Sequence, residues 1–247
     1  MAVHYRAQGI VIKKENRGET DQIFRFYTEN FGKLEILGKA IRKIKSKLRS
    51  GVELFYLSEI EFIQGKRHKT LTDTVLIEKF KNLRKDLRKL AVAYKISETI
   101  DRLVSFQETD KKIWQLLKEV FYKLDSNFKI QDFKLVYYYF FWNLLSMLGY
   151  HPELYNCSLC QKRIKPGKIY FNLKEGGIIC PDCFKKIKEK SPTGLNDFRE
   201  INSDMVKILR IILKKDWKFF SRLKMKIPHQ KMLADISDDF LAIPQFK

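Results

Sequence analysis

Four cysteines carry the most specific chemistry in this chain. They come as two pairs, Cys157-Ser-Leu-Cys160 and, nineteen residues on, Cys180-Pro-Asp-Cys183, and the sequence has no others. Thiolates two residues apart on a tight turn can face one ion, and two such pairs complete a tetrahedral sulfur shell. A filled shell leaves no position for water or substrate, so one structural zinc is the expected occupant. Other uses of the quartet fit less well. Disulfides need an oxidising compartment, whereas the residues after Met1 run into a strand-like segment with no signal-peptide pattern. A redox CxxC comes singly beside a βαβ unit, and iron–sulfur ligands follow other spacings.

Charge is the second feature. Lysine and arginine total 49 against 29 acidic residues, a net +20. Such an excess repels itself and finds a natural counterpart in a polyanion. The sharpest cluster is Lys39, Arg42, Lys43, Lys45, Lys47 and Arg49, with no acid among them. A second, Lys66-Arg67-His68-Lys69, lies on a later loop. These residues are the candidate phosphate contacts, set against the plainer reading of solvated surface loops. A third run (Lys185, Lys186, Lys188, Lys190) follows the last cysteine. A fourth, from Lys214 to Lys226, is interleaved with Trp217, Phe219 and Phe220, which reads as a helix with rings inward and lysines outward.

Catalytic patterns are missing. His4, His68, His151 and His229 are scattered, no phosphate-binding or nucleophile motif occurs, and the acidic pair Asp238-Asp239 reads as a solvated turn. A protein without enzymatic activity is expected. The most apolar stretch, Leu135 to Leu148, is too short and too interrupted to span a bilayer. A soluble protein of the cytoplasm follows as an expectation.

The elements that must position these groups fall in two parts. Residues 3–80 read as β: Gln8–Lys13, Asp21–Tyr27, Leu34–Leu37, a pair formed by Glu53–Leu57 and Ile60–Ile63, and Thr70–Glu78. Five or six short strands with charged turns predict a small antiparallel barrel, of the OB or SH3-like kind. From Phe80 the period becomes helical, with Leu87, Leu90, Ala91 and Tyr94, and then Ile100, Leu103 and Val104, on one stripe. Ile113, Leu116, Leu117, Val120, Phe121 and Leu124 form another. Phe133, Val136, Tyr137, Phe140, Phe141, Leu144, Leu145 and Leu148 form the strongest, read as core. Between the cysteine pairs, Lys168–Leu173 and Ile178-Ile179 flank a turn and predict a hairpin. Asn196–Leu213 reads as helix. The expected class is α+β: an OB-fold-like barrel over 1–80, whose basic loops could track a phosphate backbone, then a mostly α-helical domain over 81–247 carrying the zinc module at about 153–187.

This order resembles the RecO family of bacterial DNA repair and recombination proteins. Gly9-Ile10-Val11-Ile12 leading to Gly18-Glu19-Thr20-Asp21, and the turn Phe31-Gly32-Lys33, are similar to the family's amino-terminal segment. Lys39-Ala40-Ile41-Arg42-Lys43-Ile44-Lys45-Ser46 resembles its basic K-G-x-R-x-x-x-S stretch, with Ala40 in the glycine position. Leu71-Thr72-Asp73-Thr74 and the Tyr94–Leu103 helix with Glu98 are also similar, and the likeness covers about residues 5–215. The resemblance implies an OB-fold that binds single- and double-stranded DNA, annealing of complementary strands, and loading of recombinase with RecR. It also implies contact with the acidic tail of the single-stranded-DNA-binding protein. An RNA-binding or ribosome-associated module with a barrel and a zinc ribbon, and no annealing activity, is the competing class.

Overall fold

Alternating apolar residues in the amino-terminal segment give five strands: β1 (His4–Arg17), β2 (Asp21–Thr28), β3 (Gly32–Gly38), β4 (Leu57–Gln64) and β5 (Lys69–Glu78). The computed structural model describes residues 3–126, 130, 132–190 and 192–242. The five strands close into a barrel in the order β1-β2-β3-β5-β4. β1 is long enough to serve two partners. Its first half pairs with β4 and its second half with β2, and a register shift between Val11 and Lys13 bends it from one to the other. A short parallel contact, Ile36 beside Lys69 and Leu37 beside Thr70, closes the ring. This is the five-stranded barrel of an OB-fold. Val11, Phe24, Phe26, Ile36, Ile60 and Phe62 fill it.

The sequence places a strand at Glu53–Leu57, and the structure does not. Phe55 takes a positive φ of 67°, and its backbone turns out of the sheet. Its ring then sits 4.9 Å from Tyr94 and 5.8 Å from Phe121, among the helices that follow. Burial of a large aromatic outweighs continuation of the ladder there.

Those helices are α1 (Lys81–Lys85), α2 (Leu87–Leu103) and α3 (Lys111–Asp125). They belong to the same compact unit as the barrel, Met1–Phe128. α3 buries all six residues of its expected stripe. α2 follows its expected stripe only toward its end, at Ile100 and Val104. It buries Lys89, Val92, Ala93, Ile96 and Ile100, while Leu87 and Tyr94 are 80% and 52% exposed. The register of α2 is fixed by its end, where Asp101 takes an Arg25 Nη1 bond at 2.8 Å and its carbonyl a Lys33 Nζ bond at 2.5 Å.

The second unit, Lys129–Lys247, is built on α4 (Lys134–Met147), in which every residue from Leu135 to Leu145 is buried. A helix apolar all round belongs in a core, so the expected stripe is a whole cylinder. Trp142 packs on Phe171 and Phe240 and donates to Ser237 Oγ at 3.1 Å. Around it stand β6 (Lys168–Asn172), β7 (Gly177–Ile179), α5 (Pro181–Lys190), β8 (Phe198–Asn202), α6 (Ser203–Leu213), α7 (Trp217–Ser221) and α8 (Ile227–Ala242). β6 and β7 form the expected hairpin. The expected helix over Asn196–Leu213 is corrected: Phe198–Asn202 is the third strand, paired with β6, and the helix starts only after Asn202, whose side chain caps Met205 N at 2.9 Å. Asp239 is on α8 rather than in a turn, and it pairs with Arg199 at 2.5 Å.

Candidate nucleic-acid interface and metal centre

The barrel's loops bring the basic residues together. Gly18, at φ +61°, turns β1 into β2, a conformation open to glycine at little cost. Beyond β3, the chain folds back onto that turn. Arg42 N donates to Thr20 O at 3.0 Å, Arg42 Nη1 to Gly18 O at 3.4 Å, and Ala40 N to the Asp21 carboxylate at 2.8 Å. The Ala40 bond holds the Asp21 carboxyl below its ordinary range. Ala40 reaches φ +50°, so the loop keeps a path that glycine would follow more freely, at a cost of about 1–2 kcal/mol. From the other side, His68 Nε2, on the β4–β5 loop, lies 3.2 Å from both terminal nitrogens of Arg17. The β1–β2 and β4–β5 loops of an OB barrel are those that meet oligonucleotides.

Of the nine predicted contacts, Lys39, Arg42, Lys43, Lys45, Lys47, Arg49, Lys66 and Arg67 are exposed and Lys69 is half-buried. Among the described residues none of the nine forms an ion pair, whereas Lys14, Arg25, Lys33 and Arg199 all do. Lys39 to Lys43 and the 66–69 loop share the end of the barrel at which Arg17 meets His68. Lys47 and Arg49 lie on a 3-10 turn, Lys47–Ser50, tied to the outside of β5 through Thr74 Oγ1 and Leu48 O at 3.2 Å. Arg17, between Glu15 and Glu19 in sequence, is not among the expected contacts, yet the structure places it against His68 of the 66–69 loop. The third run lies exposed on α5, and in the fourth Trp217 and Phe220 point inward while Phe219 is 70% exposed.

The cysteines converge as their spacing requires. All four are free thiols, and their sulfurs lie within 4.8 Å of one another. Cys160 and Cys180 sulfurs are 3.9 Å apart, close to the ~3.8 Å between ligands of a tetrahedral ion at 2.3 Å. The first knuckle turns at Gln161, φ +60°, whose N–H returns to Cys157 O at 2.9 Å. The second runs from β7 into the first turn of α5, with Phe184 N bonded to Cys180 O at 3.0 Å. Gly177 allows the two to approach, since a Cβ there would stand 2.2 Å from Ser158 Oγ. Burial opposes a charge on Cys157, and N–H groups of Cys160, Cys180 and Leu159 reverse that and bring its thiol to about 6. Burial and the neighbouring sulfurs push Cys183 up to about 12. Four adjacent thiolates therefore need a cation, and the site can bind a metal ion.

Comparison with known proteins decides the family. The family model described as Recombination protein O N terminal matches residues 1–80, and that described as Recombination protein O C terminal matches residues 84–243. The chain belongs to the RecO family. Curated RecO relatives support this over most of the length. The DNA repair protein RecO of Dehalococcoides mccartyi (strain 195) is 33% identical over 90% of this chain and 83% of its own. That of Caldanaerobacter subterraneus is 29% identical over 89% and 84%, and that of Moorella thermoacetica 34% identical over 72% and 66%. The two RecO matches meet at Phe80 and α1, yet α1–α3 lie in the compact unit of the barrel. Among the described residues, no helix of this RecO-family chain is long and apolar enough to cross a membrane.

Proposed function

We propose that this chain is a DNA repair and recombination mediator. It binds single- and double-stranded DNA through the 1–80 barrel, anneals complementary strands and helps load recombinase onto coated single strands. The observation that carries this reading is the set of nine cations that, among the described residues, form no ion pair and lie on or beside the connections between strands of an OB barrel. Unpaired surface cations attract a polyanion, and each phosphate they neutralise releases a counterion. Annealing then needs no catalytic residue. A positive surface screens two backbones at once, while weak individual contacts leave base pairing free to win.

The ion held by Cys157, Cys160, Cys180 and Cys183 is zinc, with a structural role: it would bind the two knuckles of the second unit together and take no part in strand exchange. RecR and the acidic tail of the single-stranded-DNA-binding protein are the protein partners that family membership suggests, and the protein works at the nucleoid in the cytoplasm.

Neutralising Arg42, Lys43 and Lys45 together tests the interface. Single strands contribute about 0.7 to the slope of log affinity against log salt per contact, so the triple variant should lose about 2 from that slope. Unchanged slope and affinity would remove the loop from the interface. Equal affinity for RNA with no annealing of complementary strands would redirect the reading to an RNA-binding module.

A further inference from the structure

The barrel has a cavity of about 330 Å³ beside the loop that carries Lys66, Arg67 and His68, at the lower end of the volumes that small ligands fill. Its floor is aromatic. Tyr5 of β1 and Phe62 of β4 lie nearly parallel with centroids 5.5 Å apart, and Phe31 stands edge-on to both at 5.9 and 5.6 Å. Its rim is polar, with the amides of Asn30, Gln64 and Gln107, all three exposed residues. Among the described residues the side chains of Asn30 and Gln107 have no hydrogen-bond partner, and Gln64 spends one N–H on Gly65 O at 2.9 Å. Lys69 also lines the cavity, without an ion-pair partner.

The rim is held in place by backbone. Gln107 takes φ +62° and its N–H bonds to Lys33 O at 3.1 Å, which fixes the loop after α2 against β3. Gln64 and Lys69 are the two ends of the loop that carries Lys66, Arg67 and His68, so a backbone following those cations passes the mouth of the cavity.

We propose that this cavity receives one unpaired nucleobase of the single strand bound on the adjacent loops. An aromatic floor stacks any base. Amides supply both donors and acceptors to a base edge, and a lysine at the rim meets the flanking phosphate. The inference rests on the proposed binding of DNA to the barrel and adds to it a site that reads bases rather than phosphates. A base held there is withheld from its complement, so the protein would release it only when pairing offers more.

The test compares oligothymidylate with an abasic strand of equal length, using the full chain. The wild type should bind the base-bearing strand about tenfold more tightly, the stacking of roughly one base. Phe31→Leu, which keeps the floor apolar, should erase most of that preference. The double change Asn30→Ser with Gln64→Ala alters only exposed residues and should reduce it. All variants should keep the wild-type affinity and salt slope for the abasic strand. Equal wild-type affinity for both strands would overturn the pocket while leaving phosphate binding by the barrel intact. A preference that survives both variants would place base recognition elsewhere. Failure to bind either strand would overturn both readings, and base-indifferent variants that lose an acidic peptide would make the cavity a protein-docking site.

Discussion

At the scale of single residues, the molecule separates charges that hold it together from charges that, among the described residues, form no ion pair. Glu61 of β4 is of the first kind. Its carboxylate lies 2.7 Å from His4 Nδ1, accepts from Arg6 Nε at 2.8 Å and from Thr72 Oγ1 at 3.1 Å, and so ties β1, β4 and β5. The His4 bond, then that of Arg6, holds its carboxyl at about 2 against an ordinary 4.5. A depressed acid binds more protons unfolded than folded across that interval, so its contribution is whole above about 4.5 and is lost as pH falls toward 2. Glu61→Gln should therefore flatten the acid limb of the melting-temperature profile between those values. Parallel acid limbs for wild type and variant would show that Glu61 does not couple the strands to pH. Lys33 makes the same point from the interior: 4% exposed, it is kept by Asp101 and by the Phe106 ring 4.5 Å away. Which cations pair cannot be read from their own neighbours in sequence, because Asp101, which meets both Lys33 and Arg25, arrives from α2. The unpaired ones were legible because they cluster without acids.

At the scale of elements, the cysteine module joins a part with few buried side chains to one anchored in the core. β6 is anchored from within by Phe171, fully buried against Trp142. The knuckles and α5 have less: no residue of α5 is buried, and its Phe184 ring stacks 3.6 Å from Tyr170 and stands edge-on to Phe198 at 5.6 Å. Structural zinc contributes on the order of 10 kcal/mol in small isolated modules. Chelation, or Cys157→Ser, should accordingly strip amide-exchange protection from the knuckles and α5 first. β1–β5 should stay protected, and affinity for single strands should remain within about twofold, since an ion bound by structural thiolates acts on folding. Loss of strand binding with the knuckles still protected would give the metal a direct role instead. These elements also show what a sequence conveys. The cysteine spacing, the β6–β7 hairpin and the α3 stripe were readable because each is a local pattern. β8 was not, because Phe198–Asn202 is a strand only through β6, whose side it completes. The buried face of α2 was misread because Leu87 and Tyr94 match the helical period as well as Val92 and Ile96 do, and only the barrel chooses between them.

At the scale of the whole molecule, the barrel's folding unit extends beyond its last strand. The barrel strands finish at Glu78, and a family boundary falls at residue 80, but several side chains of residues 1–80 find their partners only later. Phe55 and Phe80, 1% and 0% exposed, both pack on Phe121 of α3. Lys33 needs Asp101, and Leu54 O accepts from Arg84 of α1. Exposing a buried phenylalanine costs about 1.5–3 kcal/mol, so a fragment of residues 1–80 forfeits about 3–6 kcal/mol from those two rings alone. Small domains hold about 5–15 kcal/mol in total. Residues 1–128 should therefore unfold in one cooperative urea transition and keep the salt-dependent binding of single strands. Residues 1–80 should unfold at a markedly lower midpoint or not fold at all. If instead the shorter fragment showed the same midpoint, the helices would be mere attachments, and the loops that carry Arg42 and Lys66 would owe their arrangement to the strands alone.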